Sequence, residues 1–202
     1  MNSRAAFLGA AAGLSAAVFI ASQMVPSGPA RLFTGEAYGA PNDVQRGRQF
    51  LTTGDRLRGR KDWEKARKAY EEALKAFQAG NAQKFIMAAN QMISLCDTMP
   101  TLNLAKMKDG SYQGTERGYV DDITVEITVK GGKISAMKIV SQRENRALRS
   151  LETVPQQIVS RKTPSVDAYS GATITSYAVM SASAKALQQA QPPPKADATA
   201  KD

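Results

Sequence analysis

Residues 167–176, with the sequence DAYSGATITS, run directly into a helical pattern and constrain the fold more than any other segment. A helix start presents backbone N–H groups without partners inside the helix, together with the positive end of the helix dipole. Gly171 and Ala172 leave this backbone open to a ligand, and Ser176 is placed to cap a helix that begins at Tyr177. The pattern predicts a loop that binds an anion, phosphate above all. The competing interpretation is an ordinary Ser/Thr-rich N-cap loop without a ligand.

A change of hydrophobic period predicts a β-hairpin upstream of this loop. Residues 123–129 alternate apolar and polar side chains, which is typical of a half-buried strand. Gly131 and Gly132 suit the positive φ angles of a tight turn, and residues 134–140 return as the partner strand.

The register of this hairpin has two solutions. A two-residue loop places Ile134, Ala136 and Val140 on the core side. A bulged three-residue loop places Met137 and Ile139 there instead. The sequence leaves both registers open.

Two helical patterns predict a helical hairpin over residues 62–99. Apolar side chains recur at spacings of three and four, with Asp62 as N-cap, Gly80 as the stop and Pro100 after the second helix. We interpret the hairpin either as a structural brace or as a docking surface for a redox partner or a membrane subunit. Residues 26–61 show little periodicity and are predicted to form a linker.

The amino terminus predicts the location of the chain. An uncharged, moderately apolar stretch at residues 5–25 follows Arg4. As a helix it would be about 30 Å long, which is the thickness of a bilayer hydrocarbon core. Residues 1–25 are therefore predicted to be an uncleaved membrane anchor, with a cleaved signal peptide as the alternative. Positive charge before the stretch predicts that the bulk of the chain is periplasmic, or secreted if the segment is cleaved.

Composition excludes several classes of chemistry. The chain has no histidine and a single cysteine, Cys96, which is flanked by apolar residues and predicted to be a buried thiol. Ser-His-Asp hydrolysis, haem ligation by histidine and intrachain disulfides are excluded. The net charge is +9, but the Lys and Arg residues form no organised stripe, so no nucleic-acid partner is expected. Redox chemistry in such a chain requires a bound organic cofactor.

Four segments together resemble the FMN-binding domain of the flavin-bearing subunits of ion-pumping NADH:quinone and ferredoxin oxidoreductases. In the family's order they are DGSYQG at 109–114, GY at 118–119, ITVEITVKGGKI at 123–134 and DAYSGATITS at 167–176. The same domain occurs in many small extracytoplasmic flavoproteins. The resemblance covers residues 107–190 and implies FMN as the cofactor. The expected fold class is α+β, with a small antiparallel sheet and packed helices. The helical hairpin and the anchor or signal segment precede this domain. Residues 191–202 are expected to be a disordered tail.

The resemblance also implies site residues. In this family an FMN transferase joins the flavin phosphate to a threonine hydroxyl, which corresponds to Thr173; Ser170 and Thr175 rank lower as acceptors. Asp167 matches the acidic position that begins the motif, which implies recognition or metal orientation during attachment, with loop capping as the alternative. Glu144 matches half of a glutamate-threonine pair of the family, and no role is assigned to it. The other predicted cofactor-binding residues lie in the loop or are aromatic side chains suited to packing on the flavin ring: Gly171, Ala172, Tyr112, Tyr119 and Tyr169.

The predicted function is that of an extracytoplasmic, membrane-tethered flavoprotein that carries electrons. Expected partners are an FMN transferase for maturation, redox donor and acceptor proteins at the membrane, and the membrane itself through the N-terminal helix. We expect a carrier rather than a self-contained enzyme, because the sequence offers no residues for substrate turnover and no metal site. The alternative is a non-redox adaptor that binds partners through the helical hairpin and keeps the flavin fold as a scaffold.

Overall fold

The computed structural model describes residues 41–145 and 148–192. These residues form five α-helices and one three-stranded antiparallel sheet, which confirms the predicted α+β class. The predicted anchor at 1–25 lies outside the described residues, as does the tail from residue 193. The helices are α1 (Pro41–Gly59), α2 (Trp63–Ala79), α3 (Gln83–Thr98), α4 (Ser150–Arg161) and α5 (Thr173–Ala190). The strands are β1 (Gly110–Arg117), β2 (Asp122–Lys130) and β3 (Lys133–Ser141), in the spatial order β1-β2-β3.

Helix α1 corrects the prediction of a linker for residues 41–59, whereas residues 26–40 of the predicted linker lie outside the described residues. The segment shows little periodicity, and it holds two glycines in the helix interior, where glycine is less favourable than alanine by about 1 kcal/mol. The structure shows why they are there. A Cβ at Gly47 would lie 2.5 Å from the ring of Phe77, and one at Gly54 would lie 2.5 Å from the ring of Tyr70. The glycines thus let α1 pack closely on the aromatic face of α2. This packing stabilises the helix despite its low intrinsic helix propensity.

The two helices of the predicted hairpin are present as α2 and α3. Asp62 caps α2 by accepting a hydrogen bond from the backbone N–H of Lys65 at 3.3 Å, and Gly80 ends the helix. Cys96 on α3 is buried, as predicted, and burial raises the pKa of its thiol to about 12. Since α1 packs against α2 as well, the predicted pair is part of a three-helix unit.

The β2–β3 hairpin combines the two predicted registers. A two-residue turn at Gly131 and Gly132, with φ of 57° and 69°, pairs Val129 with Ile134, as the first register requires. A bulge follows, in which the Ser135 hydroxyl donates to the carbonyl of Thr128 at 3.1 Å. The bulge changes the alternation, so that the rest of β3 follows the second register. Ile134 is buried, Met137 and Ile139 are half-buried, and Ala136 and Val140 are exposed.

Helix α5 is the centre of the core. Fourteen of its eighteen residues are buried, and it packs against the sheet, α3 and α4. Small side chains make this possible: a Cβ at Gly114 on β1 would lie 2.1 Å from the carbonyl oxygen of Ala182 on α5. Strand and helix backbones are therefore nearly in contact at this point. The segment with the sequence DGSYQG contributes residues 110–114 to β1 and supplies this glycine.

None of the helices within 41–145 and 148–192 combines the length and the apolar character that crossing a bilayer requires.

Gly114→Ala is expected to destabilise the protein, because the new methyl group would collide with the backbone of α5. Such overpacking typically lowers the free energy of unfolding by about 1–3 kcal/mol or more. Urea denaturation followed by circular dichroism measures the change. Gly59→Ala is the matched control, since a Cβ there meets no atom within 4 Å, and its effect should stay within about 0.5 kcal/mol. Equal effects of the two substitutions would contradict the close approach of β1 and α5.

Candidate functional site

The loop before α5 is a tight turn that is fastened to the first turn of the helix. The N–H of Ala172 donates to the carbonyl of Tyr169 at 3.0 Å, and Gly171 between them has a φ of 79°. The Ser176 hydroxyl accepts from the N–H of Tyr169 at 3.0 Å and donates to the carbonyl of Ala172 at 2.9 Å. Ser176 therefore closes the loop from inside the helix, and α5 starts at Thr173. The prediction that Ser176 caps a helix beginning at Tyr177 is wrong, because its hydroxyl already holds the turn.

The start of α5 is left open by this arrangement. Its N-cap position is Ala172, which has no side-chain acceptor to offer, so no side chain caps the first N–H groups of the helix. Thr173 is the first helical residue and is half-buried, and no group of the described residues forms a hydrogen bond with its hydroxyl. An uncapped helix start of this kind favours binding of an anion, because both its N–H groups and its dipole are unsatisfied.

A cavity of about 470 Å³ lies against the start of α5. Its volume falls within the range of roughly 300–1,000 Å³ that is usual for sites of small organic ligands. The wall is built by α1, by Phe85 of α3, by the loop after β1, by Glu144 after β3, and by the loop and first residues of α5. The lining residues are Arg48, Leu51, Thr52, Asp55, Phe85, Tyr119, Glu144, Gly171, Ala172, Thr173, Ile174, Thr175 and Tyr177.

Glu144 joins three segments of the wall. Its buried carboxylate accepts a hydrogen bond from the Thr175 hydroxyl at 2.6 Å and another from the N–H of Val120 at 2.8 Å. Gly118 allows the approach, since a Cβ there would lie 2.5 Å from a carboxylate oxygen of Glu144. These bonds fix the loop after β1 against the first turn of α5. They also occupy the hydroxyl of Thr175.

Asp55 joins α1 to α2 and α5. One carboxylate oxygen accepts from the Tyr177 hydroxyl at 2.6 Å, and the other accepts from the Tyr70 hydroxyl at 2.9 Å. Burial, together with the negative charge of Asp55, raises the pKa of both tyrosines well above the ordinary value. Both phenols therefore remain protonated and act as donors.

Arg58 balances the charge of Asp55 from inside the core. Only 2% of its surface is exposed, and its guanidinium bonds Asp55 at 3.1 Å, Tyr70 at 3.1 Å and the carbonyl of Val166 at 2.8 Å. Burial by itself lowers the pKa of Arg58, but the neighbouring Tyr70 and Asp55 oxygens raise it overall. The network ties α1 to the segment that precedes the loop.

Five of the nine predicted cofactor-binding residues line the cavity: Gly171, Ala172, Thr173, Thr175 and Tyr119. Ser170 is exposed and Tyr169 takes part through its backbone, but neither is among the lining residues. Asp167 is exposed and forms an ion pair with Arg161 at 2.8 Å.

Tyr112 lies away from the cavity. Its hydroxyl donates to the carbonyl of Lys108, and the N–H of Lys108 donates to the carbonyl of Ala190 at the other end of α5. The structure therefore does not bring Tyr112 together with the loop.

Sequence reasoning missed the part of the wall that comes from α1 and α3. Asp55 and Arg48 lie within the predicted linker, and the sequence assigned neither of them to a site. Phe85 lies within the helical hairpin predicted over residues 62–99, where its apolar side chain indicates helix packing and not a site. For Glu144 the sequence did offer a signal, because this residue matches the glutamate of the family's glutamate-threonine pair. In the structure Glu144 accepts a hydrogen bond from the hydroxyl of Thr175, which lies 31 residues further along the chain.

The comparison with protein families agrees with this geometry. Residues 118–188 match the model of the FMN-binding domain. Over these residues the chain is similar to FMN-binding domains. FMN is accordingly the cofactor that the match indicates. The matched segment of the FMN-binding domain includes Tyr119, Glu144 and the complete loop before α5, whereas α1, α2 and α3 lie outside it.

Two curated relatives share part of the chain. An uncharacterized protein of Treponema pallidum (strain Nichols) is 36% identical over 90 residues, which are 44% of this chain and 25% of that protein. An NADH:acrylate oxidoreductase of Vibrio harveyi is 32% identical over 87 residues, which are 42% of this chain and 9% of that protein. The chain thus matches a quarter or less of the length of these relatives, and the likeness is that of a domain.

The residues of the FMN-binding domain fit an FMN molecule. An uncapped helix start suits the phosphate, and an aromatic side chain, Tyr119, lines the same cavity. Among residues 41–145 and 148–192, no three His, Cys, Asp or Glu side chains are grouped so that they could hold a metal ion.

Asp55→Ala is expected to lower the free energy of unfolding by about 3–5 kcal/mol, because it leaves the buried Arg58 guanidinium without its anion. Asp43→Ala is the control on the same helix. Asp43 pairs with Arg46, whose side chain is 58% exposed, and such surface pairs contribute about 1 kcal/mol or less. Urea unfolding of both variants measures the difference; a loss at Asp55 no larger than that at Asp43 would argue against the network.

Stability is expected to decrease at alkaline pH. Because the folded state raises the pKa of Tyr70 and Tyr177, their contribution is complete below the unfolded-state value of about 10 and is lost as pH rises toward the higher folded value. Tyr177→Phe removes one of these groups and should flatten the decline of the free energy of unfolding between about pH 9.5 and 11.5. Urea titrations at successive pH values test this. They are best done in a Cys96→Ala background, since the thiol also has a raised pKa.

Proposed function

We propose that this protein is a membrane-tethered, extracytoplasmic flavoprotein that carries FMN in electron transfer. One observation carries the proposal: the start of α5, which lies within the segment that matches the FMN-binding domain, is uncapped and borders a cavity of about 470 Å³. A relative from Vibrio harveyi that is similar to this chain over 87 residues is named an NADH:acrylate oxidoreductase, which supports a redox role.

We propose further that FMN is attached to Thr173 through a phosphoester. Three candidate acceptors of the phosphoryl group lie in the loop and the first turn of α5: the hydroxyls of Ser170, Thr173 and Thr175. Thr175 is 3% exposed and its hydroxyl is bound to Glu144 at 2.6 Å, so it is not available as a nucleophile. Ser170 is exposed but does not line the cavity. Thr173 lines the cavity, is half-buried and has a hydroxyl that no described residue binds, which favours it as the acceptor.

The phosphoester would lie at the positive end of α5. The first N–H groups of the helix would stabilise the negative charge of the phosphate, and Gly171 would keep the approach free of side chains. The bonds between Glu144, Thr175 and Val120 would hold the wall in place without occupying the acceptor hydroxyl. The bound FMN would supply the one- and two-electron chemistry, which the side chains of this protein lack.

The proposed role is that of a carrier. The chain has no histidine, and the carboxylates of the cavity, Asp55 and Glu144, are engaged in hydrogen bonds with tyrosine, threonine and backbone donors. Electron transfer requires proximity of donor and acceptor rather than a general acid or base. Tethering by residues 1–25 would keep the domain next to a membrane donor, and covalent attachment would prevent loss of FMN outside the cytoplasm. An FMN transferase and redox proteins at the membrane are the proposed partners.

Thr173→Ala is expected to abolish covalent flavin in protein produced together with an FMN transferase. Thr173→Ser should keep it, since it keeps the hydroxyl, and Ser170→Ala should be unaffected. Intact mass spectrometry and flavin fluorescence in a denaturing gel report the attachment, and peptide mapping locates it. Flavin that survives denaturation on Thr173→Ala would refute the assignment of the acceptor.

The same experiment separates the wider alternatives. Wild-type protein that releases all of its flavin on denaturation would be a noncovalent flavoprotein. A colourless protein, with no flavin before or after denaturation, would contradict the carrier function and favour an adaptor that binds through the helices α2 and α3.

A further inference from the structure

Helix α1 supplies a wall of the flavin cavity although it lies outside the matched family segment of residues 118–188. Arg48, Leu51, Thr52 and Asp55 all line the cavity. Spacings of three, four and seven residues place them on one face of the helix. A single face of α1 is therefore directed at the space that the FMN-binding domain leaves open.

This wall is fixed at its carboxyl-terminal end. Asp55 bonds the Tyr177 hydroxyl of α5 at 2.6 Å, and Arg58 bonds the carbonyl of Val166 at 2.8 Å. At Gly47 and Gly54, α1 also packs directly on aromatic rings of α2. Because the bonds are buried and the packing is close, the face of α1 keeps its position relative to the start of α5.

Arg48 brings an uncompensated positive charge to the cavity. Its guanidinium carbon lies 4.8 Å from the centre of the Phe85 ring, and within the described residues no carboxylate lies at ion-pair distance from it. Phe85 is itself stacked on Phe77, with ring centres 5.0 Å apart. The guanidinium and the aromatic ring thus form a flat, supported platform at the cavity wall. By contrast, Arg46 on the same helix pairs with Asp43.

The position of Arg48 along α1 indicates which part of FMN it would meet. Asp55 is joined to Tyr177, one helical turn after Thr173, so this end of α1 is close to the proposed phosphate position. Arg48 lies seven residues earlier, which is about 10 Å along the helix axis. A molecule whose phosphate is held at Thr173 and which extends along the α1 wall would therefore present its ring system to Arg48 and Phe85.

We propose that Arg48, supported by Phe85, binds the isoalloxazine ring of FMN, so that α1 is a functional part of the cofactor site. The proposal rests on the proposed function as an FMN carrier. A guanidinium in this position donates hydrogen bonds to the oxygen and nitrogen atoms at the polar edge of the ring. It also favours the reduced flavin, because reduction adds negative charge that a nearby cation stabilises.

Titration of the full chain, produced without an FMN transferase, with FMN and separately with riboflavin tests the proposal. Quenching of flavin fluorescence reports the dissociation constant. Arg48→Gln is expected to raise this constant about tenfold for both ligands, as expected for loss of a charged hydrogen bond. Arg46→Gln is the matched control and should leave both constants unchanged. Urea midpoints of the variants should stay close to that of the wild type, because Arg48 is exposed, no described carboxylate pairs with it, and an exposed contact with a ring such as that of Phe85 contributes only about 0.5–1 kcal/mol.

Comparing FMN with riboflavin, and the variant with the wild type, distinguishes failure of the Arg48 proposal from failure of the proposed function. Weakening for FMN alone would overturn the proposal, because it would assign Arg48 to the phosphate, which riboflavin lacks. Unchanged binding of both ligands by Arg48→Gln would overturn it while leaving the carrier function intact. A wild-type chain that takes up no flavin, either in this titration or with an FMN transferase, would contradict the proposed function itself.

The reduction potential of the FMN-loaded protein gives a second, independent measurement. Arg48→Gln is expected to make the midpoint potential more negative, and Arg48→Lys, which keeps the charge, to restore most of the wild-type value. A potential that does not change in Arg48→Gln would contradict a cation at the ring. If free flavin binds too weakly to titrate because FMN is held only through its covalent bond, the reduction potential still tests whether Arg48 lies at the flavin ring.

Discussion

The burial of α5 on nearly all sides is the constraint on which the rest of the structure depends. A helix with 14 of 18 residues buried must have small side chains where neighbours approach, and α5 has alanine and serine at most of these positions. The serine hydroxyls stay satisfied inside the core: Ser183, for example, donates to the carbonyl of Val179 at 2.6 Å. The sheet, α3 and α4 all pack against this helix. Because the body of α5 is enclosed, its open amino-terminal end is the part that remains available to a ligand.

Two buried polar networks determine the shape of the space at that end. Glu144 fastens the loop after β1 to Thr175, and Asp55 with Arg58 fastens α1 to Tyr177 and Val166. Each network satisfies its charge with several donors or acceptors, as burial of a charge in the protein interior requires. Neither network uses the hydroxyl of Thr173. All three residues Thr173, Thr175 and Tyr177 line the cavity, but only Thr175 and Tyr177 hold its walls in place through these bonds.

The arrangement explains why a carrier of this kind would need helices beyond the FMN-binding domain. In the matched segment, the loop and the start of α5 offer a place for a phosphate, but one side of the cavity is built from α1 and α3. We infer that the added helices enclose the flavin and set its electrostatic surroundings. In this view the helical unit is neither a passive brace nor solely a docking surface, since its residues line the same cavity as Thr173.

The sequence by itself determined those features that depend on neighbouring residues. The alternation in β2, the glycine turn at 131–132 and the Asp62 cap are local, and they sufficed for the fold class. FMN as the cofactor came from the resemblance of four segments to the FMN-binding domain. The tertiary structure alone decided features that depend on contacts between distant segments. Gly47 and Gly54 argue against a helix until the rings that pack on them are seen, and the bulge at Ser135 changed the register of β3. Asp55 and Tyr177 are 122 residues apart, so only the folded chain could place α1 beside the loop.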